Sequence, residues 1–185
     1  MPAYEAVLSP PEALERVDRI DLNRTRITRF LDAAAPVATA TSAAPGVASG
    51  RIAFDPVRAK VLAAAGEPVI LVRHDTSTED VAGFAVAAGI LTAVGGRTAH
   101  AAVVARQLGN VCLVGCRGLK IYDGARSGEI AGTPIGEGDW ISLDGNTGAV
   151  TLGRREIIAE MPAAELCEIE AWRQHPPAPP SASSA

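Results

Sequence analysis

The chain has 185 residues, 48% of them hydrophobic, and a formal net charge of -4, enough for one globular domain with a buried core and flanking pieces but not for a large multi-domain catalyst. The acidic balance argues against a nucleic-acid binder, and every long apolar stretch is interrupted by Gly, Pro or charge well short of membrane-spanning length. The start, Met1-Pro-Ala-Tyr-Glu5, has neither the basic nor the apolar part of a secretory signal, so a cytoplasmic location with no membrane partner is expected.

Ser9-Pro10-Pro11-Glu12 combines a serine N-cap, proline at the first helical position and glutamate three residues after the cap. This capping box predicts a short helix to about Val17. Ile27, Phe30 and Leu31 suggest a second, amphipathic helix beginning near Asn23. Arg16, Arg19, Arg24, Arg26 and Arg29 alternate there with Glu12, Glu15, Asp18 and Asp21, the pattern of a solvated, salt-bridged face. From Ala33 to Ala48 the chain is rich in Ala, Thr, Ser and Pro without periodicity and reads as a linker.

Gly50–Phe54 reads as a strand. Asp55-Pro56 starts a helix through Ala65 with the aspartate as N-cap, and Gly66 stops it. Pro68–Arg73 is a buried strand, and Thr78–Ala82 begins another short helix. A strand from Ile90 to Val94, a glycine loop, a helix from His100 and a strand from Val111 to Cys116 complete a β-loop-α-β unit, which implies a partly parallel sheet. Beyond Gly118 the strands are short: Glu129-Ile130, Trp140–Leu143 and Ala149–Leu152. The Asp144-Gly-Asn-Thr-Gly148 turn makes this half antiparallel. Arg154 to Trp172 is weakly helical despite Pro162, and Pro176 to Ala185 has the composition of a disordered tail. Cys112 and Cys116 are spaced to share one face of a strand. They lack companion ligands, and with the distant Cys167 they read as buried apolar thiols, so no metal site is expected.

Candidate chemistry lies in Gly95-Gly96-Arg97-Thr98-Ala99-His100. A histidine on the first turn of a helix, behind a glycine pair, sits where unpaired N–H groups and the helix dipole favour an anion. A neutral imidazole is nucleophilic enough to accept a phosphoryl group. Gly95 and Gly96 permit close approach, Thr98 can cap the helix or bond a phosphoryl oxygen, and Arg97 can offset its charge. Ala101, Ala102 and Ala105 let the helix lie close to the sheet. By residue type alone, a polar surface histidine after an ordinary turn accounts for the same pattern.

The longer string Gly95-Gly-Arg-Thr-Ala-His-Ala-Ala-Val-Val-Ala-Arg-Gln-Leu-Gly-Asn-Val-Cys-Leu-Val-Gly-Cys116 resembles the phosphohistidine signature of the PEP-utilising enzymes, the family of pyruvate phosphate dikinase, PEP synthase and enzyme I. Ala44–Gly50, Val69–Asp80 and Glu137–Gly148 resemble further segments of the dikinase's central domain. The resemblance covers about Thr41 to Gly153. It divides the chain into an N-terminal helical segment and linker (1–40), the domain (41–153), a C-terminal helical segment (154–175) and a tail (176–185). It implies an α/β fold: a swivelling β/β/α phosphohistidine domain with a partly parallel central sheet, added antiparallel strands and an N-terminal helical extension.

By position, the resemblance makes His100 the phosphoryl acceptor. Gly95, Gly96, Ala99 and Ala101 line the phosphate, Arg97 balances its charge, and Thr98 stands where plant dikinases carry a regulatory phosphorylation site. Ala99 replaces the dikinase's usual serine, Arg97 is the residue type of PEP synthase and enzyme I, and Thr78 stands where proline is frequent. The chain has no nucleotide-binding loop or PEP/pyruvate barrel. It is therefore expected to bind no cofactor alone and to depend on a separate ATP-grasp or PEP/pyruvate-binding protein, with Mg2+ accompanying ATP or PEP there. The expectation is a stand-alone phosphohistidine carrier. The alternative is a non-catalytic regulatory module or split-dikinase fragment acting through Thr98 and His100, with a dikinase regulatory kinase as a possible partner.

Overall fold

Val69–Arg73 (β5) alternates perfectly between two buried environments: Ile70 and Val72 enter one apolar core, Val69 and Leu71 the other. A strand buried on both faces is an uninterrupted apolar run, which is why it is legible in the sequence. The computed structural model describes residues 10–17, 27–96, 100–122, 124 and 126–174. It falls into two compact units, one of residues 28–158 and one made of the described parts of 1–27 and 159–185.

In the larger unit, β4 (Val47–Ala53), β5, β6 (Gly89–Thr92) and β7 (Val111–Val114) run parallel in chain order. Their crossovers are α2 (Pro56–Ala64), α3 (Val81–Phe84, after a 3-10 turn at Thr78–Asp80) and α4 (His100–Leu108). All three helices cover one face of the sheet, through Ala59, Phe84, Ala102 and Ala105. Asp55 caps α2, its side chain accepting from the Arg58 N–H at 2.7 Å. The opposite face is covered by a smaller antiparallel sheet of β8 (Leu119–Tyr122), β9 (Ser127–Ile130) and β10 (Thr133–Gly136), which contributes Leu119, Ile130 and Ile135. A β/β/α layering results, as the sequence leads one to expect. The hairpin of β11 (Trp140–Asp144) and β12 (Ala149–Leu152) extends the main sheet antiparallel from β4. Asp144 Oδ1 holds its turn by accepting from the N–H groups of Asn146 and Thr147.

The stretch read as a linker is instead part of the sheet. Ala38–Thr39 (β2) pairs with β12 at one edge, and Thr41–Ala44 (β3) pairs with β7 at the other. A single segment, with Ala40 between the two pairings, thus joins both edges of the eight-stranded sheet and closes it. Its N–H groups keep the register on the β12 side, Val37 donating to Val150 O and Ala40 to Gly148 O. Small residues with no alternation fit here because both neighbours approach closely, a requirement that leaves no local periodicity.

Four further expectations are corrected. Ile27–Phe30 is not helical but a strand (β1), paired with Ile157–Glu160 (β13) and extended by the bond from Leu31 N–H to Glu156 O. The same pairing makes the start of the supposed C-terminal helical segment a strand. Helix α5 (Ala163–Gln174) begins only past Pro162. Phe30 is buried while Ile27 and Leu31 are exposed, so the apolar spacing that suggests a helix does not mark a buried face. Arg155 secures this ribbon: it stacks on Phe30 at 4.0 Å, pairs with Asp32, and its N–H donates to Ser49 Oγ. Cys112 and Cys116 do not share a face, because Gly115 (φ +68) turns the chain after β7 and delivers Cys116 to the other core. Cys167 is exposed on α5. In the smaller unit α1 (Pro10–Val17) packs on α5 (Ala163–Gln174). The tail lies outside the described residues, and so does the start of the proposed second helix at Asn23.

Two outcomes follow. A methyl group at Gly148 (φ +83) would overlap the Ala40 carbonyl oxygen, whereas at Gly138 (φ +87) it would meet none of the described residues. Gly148→Ala should therefore lose about 2 kcal/mol more stability than Gly138→Ala, measured by urea unfolding. Burial pushes the Cys112 thiol up from 9.0 to about 12, opposed by Arg106. The unfolded chain then releases this proton first, so the contribution is intact below pH 9 and is lost as pH rises toward 12, at about 1.4 kcal/mol per pH unit. Cys112→Ala should flatten that part of the stability profile.

Candidate functional site

The loop after β6 begins from a fixed base. Ala93 N–H donates to Arg73 O at 3.0 Å and Val94 N–H to His74 O at 3.0 Å, which prolongs the β5–β6 pairing past the end of β6. On the other side, Cys116 N–H donates to Thr92 O at 2.9 Å. The buried Thr92 hydroxyl donates to Val94 O at 2.6 Å and holds the turn into the glycines. Gly95 takes φ +109, which a side chain would resist, and among the described residues no atom lies within 4 Å of where a Gly96 side chain would start. The chain is thus held up to Val94 and open at Gly96.

Helix α4 begins at His100, so its free N–H groups open at the carboxyl end of the parallel strands. In α/β folds, open or closed, ligands gather at the carboxyl ends of the parallel strands, where helix N-termini open. Ala102 and Ala105 are wholly buried against the sheet, the close helix–sheet approach expected of them. Gly109 (φ +75) ends the helix, and Arg106 fixes its last turn by donating to Ala43 O at 3.1 Å. Of the sequence-predicted site, the structure brings Gly95, Gly96, His100 and Ala101 to this end of the sheet. Arg97, Thr98 and Ala99 lie outside the described residues.

The sequence reading misses the ion pair behind the loop. Arg73, at the end of β5, pairs through Nε with Asp80 Oδ1 at 3.1 Å, and the Asp80 side chain is 1% exposed. Arg73 also donates to Phe54 O at 2.8 Å, while Asp80 Oδ2 accepts from Ser77 N–H at 2.8 Å. One guanidinium therefore ties the ends of β4 and β5 to the turn before α3, and the Arg73 carbonyl carries the loop. Both residues fall in a run the resemblance covers, but nothing in their spacing says that they meet.

Residues 65–148 match the family described as "PEP-utilising enzyme, mobile domain". The chain belongs to this family, and the parallel strands β5, β6 and β7, the glycine loop and α4 all lie in the matched segment. Its relatives include pyruvate, phosphate dikinases: dikinase 2 of Oryza sativa subsp. japonica, 45% identical over 74% of this chain and 15% of the relative; the chloroplastic dikinase of Flaveria trinervia, 40% identical over 91% and 18%; and the pyruvate, phosphate dikinase of Clostridium symbiosum, 39% identical over 91% and 20%. The chain spans no more than a fifth of these relatives' length. A solution structure of an enzyme I protein covers 57% of this chain and 38% of its own at 24% identity, with a TM-score of 0.35, too distant to bear on the fold. Among the described residues no helix is long and apolar enough to cross a membrane.

Removing Asp80 leaves a guanidinium behind the loop without its charge partner. Asp80→Ala should cost about 3 kcal/mol in urea unfolding, with increased amide exchange at Ala93 and Val94.

Proposed function

We propose that this chain is a phosphohistidine carrier. A neutral ring nitrogen of His100 attacks the phosphorus of a donor; a P–N bond forms as the P–O bond to the leaving group breaks and the leaving group takes the electron pair. The reverse step delivers the phosphoryl group to an acceptor. The observation that carries this reading is the placement of the signature run: it opens α4 at the carboxyl end of β6, inside the segment that matches the mobile-domain family.

Gly95, Gly96, Ala99 and Ala101 leave room for the phosphoryl group, Arg97 offsets its charge, and Thr98 bonds an oxygen or serves as a second, regulatory phosphorylation site. A phosphate on Thr98 would repel one on His100. Phosphoryl transfer needs a cationic, water-excluding site around the moving group. That site, with Mg2+ and ATP or PEP, belongs to partner domains acting in trans in the cytoplasm.

A second reading is a split-dikinase fragment or non-catalytic module working through Thr98 and His100.

The test is incubation with phosphate-labelled ATP or PEP and a dikinase, PEP synthase or enzyme I partner. Acid-labile, alkali-stable label should form on the chain and be absent from His100→Ala. No label with any of these partners would sink the carrier reading, and label on Thr98 instead would support the regulatory one.

A further inference from the structure

The segment that closes the sheet leaves a cleft of about 560 Å³ beside the turn after β7, with Val37–Thr41 on one side and Gly115, Arg117, Gly118 and Ala131 on the other. Most of these side chains are small, so much of the wall is peptide and methyl group. Arg117 is the charged residue of the lining and is exposed. Among the described residues no carboxylate pairs with it.

The turn that carries Arg117 is fixed. Cys116 N–H donates to Thr92 O, Leu119 N–H to Cys116 O, and Ala131 N–H to Gly118 O, at 2.9, 2.9 and 2.8 Å. It also abuts the glycine loop, since a Cβ on Gly115 would lie 3.0 Å from the Gly95 carbonyl oxygen. The backbone that carries Arg117, a residue with no carboxylate partner among the described residues, is thereby held two residues from the contact with the loop that leads to His100, on a chain whose net charge is -4. Against that background, an anionic small molecule approaching the loop needs a local cation, and a guanidinium's forked donors suit a carboxylate or a phosphate.

We propose that Arg117 and this cleft form an oxyanion-binding subsite for a small phosphorylated or carboxylated compound taking part in the transfer. Its role in transfer rests on the carrier reading; its binding of an oxyanion does not.

The test is titration of the full, 15N-labelled chain with phosphoenolpyruvate, inorganic phosphate and pyruvate. Phosphoenolpyruvate should shift the amide signals of Gly115, Gly118 and Thr39–Thr41. Arg117→Gln should weaken that response about tenfold with unchanged urea unfolding, and His100→Ala should leave it intact. A response to phosphate alone or to pyruvate alone supports the subsite and identifies the group that Arg117 binds. No response at these amides, an unaltered response in Arg117→Gln, or shifts confined to residues 100–103 would overturn it. If this binding is present and His100 takes no label from any partner, the carrier reading fails while the subsite stands.

Discussion

The larger unit depends on one segment, Ala38–Ala44, that pairs at both edges of the same sheet. An open eight-stranded sheet would leave two edges of unpaired peptide groups. Here one short length of chain satisfies both, and the layers above and below pack on a closed surface. Closure also sets where β7 ends relative to β12, and hence where the Gly115–Gly118 turn and the start of α4 lie. The close contacts along this seam involve backbone: Gly145 N–H bonds Gly46 O, and Ser42 Oγ donates to Gly145 O. The seam therefore selects glycine, alanine and serine.

The approach to the glycine loop is fixed by main-chain bonds. Up to Val94 the chain is tied to its neighbours on both sides by main-chain bonds, and the Arg73–Asp80 pair fixes the strand that supports it. A buried ion pair is a poor source of net stability but a strong constraint on geometry, because either partner alone is costly to bury. Such a base suits a histidine that must meet catalytic groups held elsewhere, the arrangement the proposed carrier role calls for.

Elements whose signals are local were legible. The Asp55 cap and Pro56 define α2, the apolar run defines β5, and Asp144–Gly148 defines the β11–β12 hairpin; in each the deciding interaction spans a few residues. Where the deciding partner is distant, reading failed. Ile27–Phe30 has helical spacing but is held as a strand by residues beyond Glu156. Residues 38–44 have no pattern because their partners, β12 and β7, lie far along the chain. Cys116 was misplaced by a single left-handed glycine. Of the candidate site, the glycine loop and the helix start at His100 were legible from motif and resemblance, whereas Arg73–Asp80 and Arg117 were not.

By itself the sequence determined the family, the parallel unit and the position of His100 at a helix start, because these reside in a contiguous run and in short-range backbone preferences. Only the tertiary structure decided that the sheet closes, that Arg73 meets Asp80 behind the loop, and that Arg117 lies at a cleft beside it. Each of these depends on residues brought together by strand pairing across long separations, which no local periodicity encodes.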